Sequence, residues 1–118
     1  MVLMGCRERI AEQVAHLNAG EIVSTTAGKD GVSFVIRRTY EGGATGDTLH
    51  EAWICRHSLT DCQRAAIIDV HDGPAPSWRA TAAGAVLLIS PTDAVWNYKN
   101  VVYGNSDQLL RLTIVDVG

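Results

Sequence analysis

The sequence predicts an α+β fold, in which an antiparallel sheet of about six strands packs with an N-terminal helix and a second helix near the middle. Three observations lead to this prediction: a helical period of apolar residues near the N-terminus, a hairpin signature before residue 41, and three β-rich runs in the last third. We expect the strands to form two three-stranded meanders. The 118 residues fit a single domain spanning residues 1–118.

The stretch "CRERIAEQVAHLNAGEI" opens the chain with a predicted amphipathic helix. Ile10, Val14 and Leu17 recur at helical spacing, so they would form one apolar stripe along that helix. Gly20 follows as a helix end, because glycine tolerates the positive φ of a C-terminal cap. This helix is expected to cover one side of the sheet.

A hairpin follows in "EIVSTTAGKDGVSFVIRRTY", with strands over residues 21–27 and 32–40 and a turn over residues 28–31. A third strand is predicted in "TLHEAWICRHS" after a glycine-rich loop. Successive side chains of a strand project to opposite faces. Arg37 and Arg38 are therefore expected on opposite sides of the sheet.

The segment "LTDCQRAAIIDVHDG" is predicted to contain the second helix. Thr60 is a suitable N-cap, and Asp72-Gly73-Pro74 is a strong stop signal. Cys62, Ala66 and Val70 would line one face of this helix. The run "RAAIIDVH" also fits a strand, which is the alternative. The segment "DGPAPS" that follows reads as a linker or rigid loop.

Three β-rich runs close the chain: "TAAGAVLLIS", "AVWNYKNVVY" and "DQLLRLTIVDV". The short segments "PTD" and "GNS" between them have turn chemistry, so the three runs are predicted to form a meander. The run Val86–Ile89 is apolar throughout and is typical of a central strand.

The charge balance and cysteine content exclude several classes of protein. The net charge is −3, and Lys29 and Lys99 are the only lysines, which disfavours a grip on duplex nucleic acid. The longest apolar run, 82–89, is far shorter than the ~20 residues of a membrane helix. Three cysteines in this spacing do not suggest a disulfide framework, and "MVLMGC" is too short for a secretory signal. A cytoplasmic protein is therefore expected.

A cluster of histidines and cysteines between residues 50 and 73 raises the alternative of an enzyme. Cys55 and His57 are two apart on a predicted strand, so both would leave the same face and could serve a small hydrolase or lyase, with or without zinc. Strong zinc signatures have two tight ligand pairs. Here the second pair is missing, so we expect no metal, no cofactor and no catalytic residue.

The preferred prediction is a non-enzymatic binding protein for a small nucleotide-like or other planar anionic ligand. Trp96, Tyr98 and Asn100 would project from one side of a strand, where an aromatic ring can stack on a base and an amide can pair with its edge. Arg38 and Arg56 would hold the negative charge, because guanidinium groups bind anions in bidentate fashion. The second alternative is a protein-interaction or inhibitor module without a pocket. Strand edges and exposed aromatic residues also predict a homodimer.

Overall fold

Two β-sheets packed face to face form the architecture of this protein. The computed structural model describes residues 14–17, 21–41, 47–105 and 108–117. Within these ranges the chain forms ten strands and no α-helix, so the predicted α+β class is wrong. The strands are β1 (Val14–Ala15), β2 (Ile22–Ala27), β3 (Ser33–Glu41), β4 (Thr48–Arg56), β5 (Asp61–Val70), β6 (Ser77–Ala80), β7 (Gly84–Ile89), β8 (Ala94–Trp96), β9 (Val101–Tyr103) and β10 (Leu109–Asp116).

The first sheet has the strand order β1-β5-β4-β3-β2, and β8 also pairs with β5. All of its strand pairs are antiparallel. The predicted hairpin and the third strand are confirmed as β2, β3 and β4. A 3-10 turn over Lys29–Gly31 joins β2 to β3, and it needs the positive φ angles of 58° at Asp30 and 79° at Gly31, which aspartate and glycine tolerate best among common residues.

The second sheet has the order β6-β7-β10-β9, and it does not form the predicted meander. The central position of the Val86–Ile89 run is confirmed, because β7 lies between β6 and β10. However, β7 and β10 are parallel, and β8 pairs with β5 of the first sheet instead. Asn97 has a φ of 53°, which ends β8 and lets the chain cross from one sheet to the other.

The predicted second helix is also wrong, because residues 61–70 form the ten-residue strand β5. Neighbours on both sides satisfy its backbone: β4 along one edge, and β1 and β8 along the other. Thr60 does not cap a helix; its hydroxyl donates to the carbonyl of His57 over 2.6 Å. The β-branched residues Ile67, Ile68 and Val70 are well suited to a sheet. The alternative reading as a strand is therefore the correct one.

The predicted N-terminal helix is contradicted where the structure describes it. Val14–Ala15 form β1, and Ala15 pairs with Cys62 of β5. The remainder of that predicted helix lies outside the described residues. A helical apolar period cannot, by itself, exclude edge pairing with an already formed strand, since tertiary contacts override local propensity.

Apolar side chains from both sheets fill the main core between them. The largest fully buried members are Phe34, Ile36, Ile54, Ile68, Leu87 and Leu112. Trp78 of β6 is 5% exposed, and its indole N–H donates to the carbonyl of Val35 over 3.1 Å. The rings of Phe34 and Trp78 lie 5.4 Å apart between centroids. This contact fixes β6, at one edge of the second sheet, against β3 of the first sheet.

A disulfide joins Cys55 of β4 to Cys62 of β5, so the expectation of unpaired cysteines is wrong. The two residues are directly opposite in the strand register, and both side chains are 0% exposed. They pack with Val35 and Trp53 in a second apolar cluster on the far side of the first sheet. Sequence separation alone could not predict this bond, because it depends on the register of β4 against β5.

No helix among the described residues has the length and apolar character required to cross a membrane.

Candidate functional site

The face of the first sheet that points away from the main core, here called the outer face, carries a group of charged side chains. The strand register aligns Arg37 of β3, Glu51 of β4, Ile67 of β5 and Trp96 of β8 in one row. Directly opposed residues of antiparallel strands project to the same face. This row therefore brings a guanidinium, a carboxylate and an indole to one surface.

Glu51 is the centre of this arrangement. It is 9% exposed, and its carboxylate accepts hydrogen bonds from Arg64 Nη1 at 2.9 Å and from Trp53 Nε1 at 3.1 Å. Arg37 Nη1 lies 3.6 Å from the same carboxylate. Two guanidinium groups thus share a single carboxylate, which leaves one positive charge uncompensated within the group.

The two arginines keep hydrogen-bond donors that Glu51 does not use. Each guanidinium has five N–H donors in a planar fork. The Nε atom of Arg37 is buried and makes no hydrogen bond among the described residues, whereas the Arg64 side chain is 42% exposed. A small anion approaching from solvent could accept hydrogen bonds from Arg64. Its negative charge would also help to compensate the positive charge of Arg37.

Trp96 and Trp53 have different roles on the outer face. Trp96 is 48% exposed, so its ring is accessible at the surface. Trp53 is 7% exposed, and its indole N–H holds the Glu51 carboxylate in place. The outer face therefore has one indole that can contact a ligand and one that positions the charged group.

The predicted arginines Arg38 and Arg56 do not meet. Arg38 pairs with His50 in the β3–β4 register, and Arg56 is the last residue of β4. Positions 50 and 56 on one strand are about 20 Å apart at ~3.3 Å per residue. Arg56 is also engaged, because it forms an ion pair with Asp61 at 2.7 Å and donates to the Gly104 carbonyl at 3.4 Å.

The predicted residues Tyr98 and Asn100 help to link the two sheets. The Tyr98 hydroxyl donates to the carbonyl of Leu112, and the Asn100 carbonyl accepts from the backbone N–H of Leu112 at 2.9 Å. Burial raises the pKa of the Tyr98 phenol. Of the five predicted ligand-binding residues, Trp96 is the one that the structure brings to the outer face beside the charged row.

Sequence reasoning missed the group formed by Arg37, Glu51 and Arg64. Part of the signal was present: strand alternation places Arg37 away from Arg38, and Glu51 and Trp53 share a face because they are two apart. What joins them is the alignment of three strands. A register shift between Ala52 and Trp53 brings Arg64 opposite Trp53, and this shift has no evident mark in the sequence.

The histidine and cysteine cluster is dispersed by the fold. Cys55 and Cys62 are bonded to each other, so neither sulfur is a thiolate in this structure. His57 lies exposed in the β4–β5 turn, and His71 contacts Asp47 at 2.7 Å. Among the described residues, no group of three or more His, Cys, Asp or Glu side chains is arranged to hold a metal.

His50 occupies a different environment from the other histidines. It is 4% exposed, and its Nδ1 atom is buried without a hydrogen-bond partner in the described structure. Burial is the main cause that lowers the pKa of this imidazole, and the nearby Arg38 guanidinium lowers it further. The backbone of Thr48 and the carboxylate of Asp93 act in the opposite direction but do not prevail. His50 is therefore a neutral structural residue near pH 7.

No family model, no curated protein and no solved structure matches this chain.

Proposed function

We propose that this protein is a non-enzymatic binding protein for a small planar anion, which it holds on the outer face of the first sheet. One observation carries the proposal: Arg37 and Arg64 share the carboxylate of Glu51, with Arg64 at 2.9 Å and Arg37 at 3.6 Å. Two cations around one anion attract a second anion. Glu51 also fixes their positions before any ligand arrives, which reduces the cost of ordering them on binding.

The ligand class follows from the groups on this face. A guanidinium binds carboxylate or phosphate oxygens through parallel N–H donors. The exposed ring of Trp96 favours a flat molecule, since an indole gains most from stacking on another aromatic plane. An aromatic carboxylate or a nucleotide-like phosphate therefore suits the site, and it would place its charge near Arg64 and its ring towards Trp96.

Calorimetric titration with matched ligands tests this proposal. We expect 1-naphthoate and adenosine monophosphate to bind with dissociation constants below about 1 mM. Cyclohexanecarboxylate lacks the flat ring and 1-naphthalenemethanol lacks the charge, so each should bind at least about tenfold more weakly than 1-naphthoate.

Variants on the two sheets provide the control. Arg64→Ala and Trp96→Ala should each weaken 1-naphthoate binding by about tenfold or more, because a charge-assisted hydrogen bond or an aromatic contact is lost. Arg79→Ala and Tyr103→Ala remove an exposed arginine and an exposed tyrosine from the second sheet, and they should leave the affinity unchanged. Equal affinities for all four variants would show that the ligand binds elsewhere.

We also propose a second role, as a homodimer or other protein-interaction module that uses the edge of the second sheet. Tyr103 and Leu109 are directly paired across β9 and β10, and they are 54% and 57% exposed. Exposed apolar residues grouped at a sheet edge favour association. Analytical ultracentrifugation of the protein and of Tyr103→Ser/Leu109→Ser tests this role: a dimer that dissociates in the double variant supports it, and a monomer at millimolar concentration excludes the dimer.

The cellular compartment stays a prediction. The expectation of a cytoplasmic location depends partly on cysteines that form no disulfide. The Cys55–Cys62 bond removes that premise, since stable disulfides are more frequent in oxidising compartments.

A further inference from the structure

We propose that the Cys55–Cys62 disulfide is a redox switch that controls the anion site on the outer face. This inference rests on the binding function proposed above, because it concerns regulation of the same site. The disulfide and the charged group lie on the same face of β4 and β5. Cys55 is two residues from Trp53 on β4, and Cys62 is two residues from Arg64 on β5.

The contact between the disulfide and the charged group passes through Trp53. Cys55, Cys62 and Trp53 belong to one buried cluster with Val35. The indole N–H of Trp53 donates to Glu51 over 3.1 Å, and Glu51 in turn accepts from Arg64. A movement of the Trp53 ring therefore changes the position of the carboxylate that orders both arginines.

Reduction would force such a movement. Bonded sulfur atoms are about 2.05 Å apart, whereas non-bonded heavy atoms rest about 3.5–4.0 Å apart. Both cysteines are 0% exposed, and closely packed interiors have little empty volume to absorb such an expansion. The two thiols must therefore displace their neighbours, of which Trp53 is the largest.

The reaction is a thiol–disulfide exchange with a dithiol. One thiolate of the dithiol attacks a sulfur of the Cys55–Cys62 bond, which breaks that bond and forms a mixed disulfide. The second thiolate then displaces the remaining cysteine. The dithiol is oxidised to a disulfide, and the two cysteine thiolates receive two electrons in total and take up two protons.

Access to the buried sulfurs requires a local opening of the structure. Leu17, Ile22 and Leu59 pack over the cluster and are only partly buried. The backbone contact between Leu17 N–H and the Leu59 carbonyl is long, at 3.4 Å. Segments held by weak hydrogen bonds open readily, so we expect a reductant to reach the bond where Leu17 separates from Leu59.

The test compares oxidised and dithiothreitol-reduced protein in a Cys6→Ser background, in which Cys55 and Cys62 are the remaining cysteines. Both samples are alkylated under denaturing conditions and analysed by mass spectrometry. The oxidised protein should carry no labelled thiol, and the reduced protein should carry two. Reduction should shift the ¹⁵N–¹H indole resonance of Trp53, while that of the half-exposed Trp96 changes less. The affinity for 1-naphthoate should fall about tenfold, which lies in the usual range of coupling between two sites.

A Cys55→Ala/Cys62→Ala variant should bind 1-naphthoate with the same affinity with and without dithiothreitol. If this variant does not fold, the two states of the Cys6→Ser protein decide the question. Measurable binding with unchanged affinity in the two states overturns the switch, whether or not the Trp53 resonance moves, and leaves the binding function standing. If the Trp53 resonance shifts but neither the oxidised nor the reduced protein binds 1-naphthoate, the proposed binding function is overturned. Redox control of that site is then overturned as well. Failure of native protein to react with dithiothreitol also overturns the switch.

Discussion

Arg64 donates a hydrogen bond to Glu51 diagonally across β4 and β5, with 2.9 Å between Nη1 and Oε2. The residue directly opposite Arg64 is Trp53, whose indole donates to the other carboxylate oxygen of Glu51. The carboxylate is thus held from two directions on a surface that also carries Arg37. This geometry orders the outer face and places two guanidinium groups around one carboxylate.

Glu51→Gln should lower stability and raise anion affinity at the same time. The change removes the charge that compensates two guanidinium groups, so the free energy of unfolding should fall by about 1–3 kcal/mol. Glutamine keeps an amide oxygen that accepts a hydrogen bond from an arginine, so the group stays ordered. The loss of the negative charge then increases the attraction of the two arginines for 1-naphthoate. Urea denaturation and calorimetric titration measure the two effects. Glu21→Gln, at an exposed position, is the control and should change neither quantity.

Trp78→Phe should destabilise the protein more than Trp96→Phe. Phenylalanine cannot donate to the Val35 carbonyl, which Trp78 reaches over 3.1 Å inside the core. A buried carbonyl that loses its partner costs about 1–3 kcal/mol. Trp96 is 48% exposed, so its replacement should change the unfolding free energy by less than about 0.5 kcal/mol. Similar losses for both variants would contradict the packing described for Trp78.

The elements that the sequence predicted correctly are those defined by local chemistry. Gly28-Lys29-Asp30-Gly31 lies between two runs of strand-forming residues, and a turn at this point follows from residues that tolerate positive φ. The central strand β7 is equally local, because Val86–Ile89 are all apolar. In both cases the signal and the structure that it specifies lie within a few residues of each other.

The errors concern pairing between distant segments. The sequence predicts a helix in place of β5 because Thr60 and Gly73 are good helix boundaries, yet strands on both sides of β5 satisfy its backbone. β7 pairs in parallel with β10, and β8 pairs with β5 of the first sheet. Both pairings join segments that are far apart in the sequence. The outer face depends on such pairings, since Arg37, Glu51 and Arg64 come from three different strands.

His50 should make stability depend on pH. Its pKa in the folded protein is lowered from 6.5 by burial, so below that pH the unfolded chain binds a proton more readily than the folded protein. The free energy of unfolding should therefore fall as pH decreases from about 6.5 through the lowered pKa, and this loss should be complete below it. Urea denaturation at pH 7.5, 6.0 and 5.0 measures the effect.

The variants His50→Gln and His57→Gln separate this cause from general acid effects. His50→Gln should lose part of the pH dependence of stability, because a glutamine side chain does not titrate. His57 is exposed in the β4–β5 turn, so His57→Gln should retain the wild-type profile. Equal pH dependence in wild type and His50→Gln would assign the effect to other groups.

Ser58→Gly should stabilise the protein, although glycine usually weakens a fold. His57, Ser58 and Leu59 have φ angles of 51°, 56° and 73°, a left-handed conformation that costs residues with a Cβ about 1–2 kcal/mol each. Glycine removes this cost at Ser58 and adds about 0.5–1 kcal/mol of backbone entropy. The net gain in unfolding free energy should be about 0.5–1 kcal/mol by urea denaturation. Ser77→Gly, in the extended strand β6, is the control, and its free energy of unfolding should fall by a similar amount. A fall for both variants would show that the turn is not left-handed in solution.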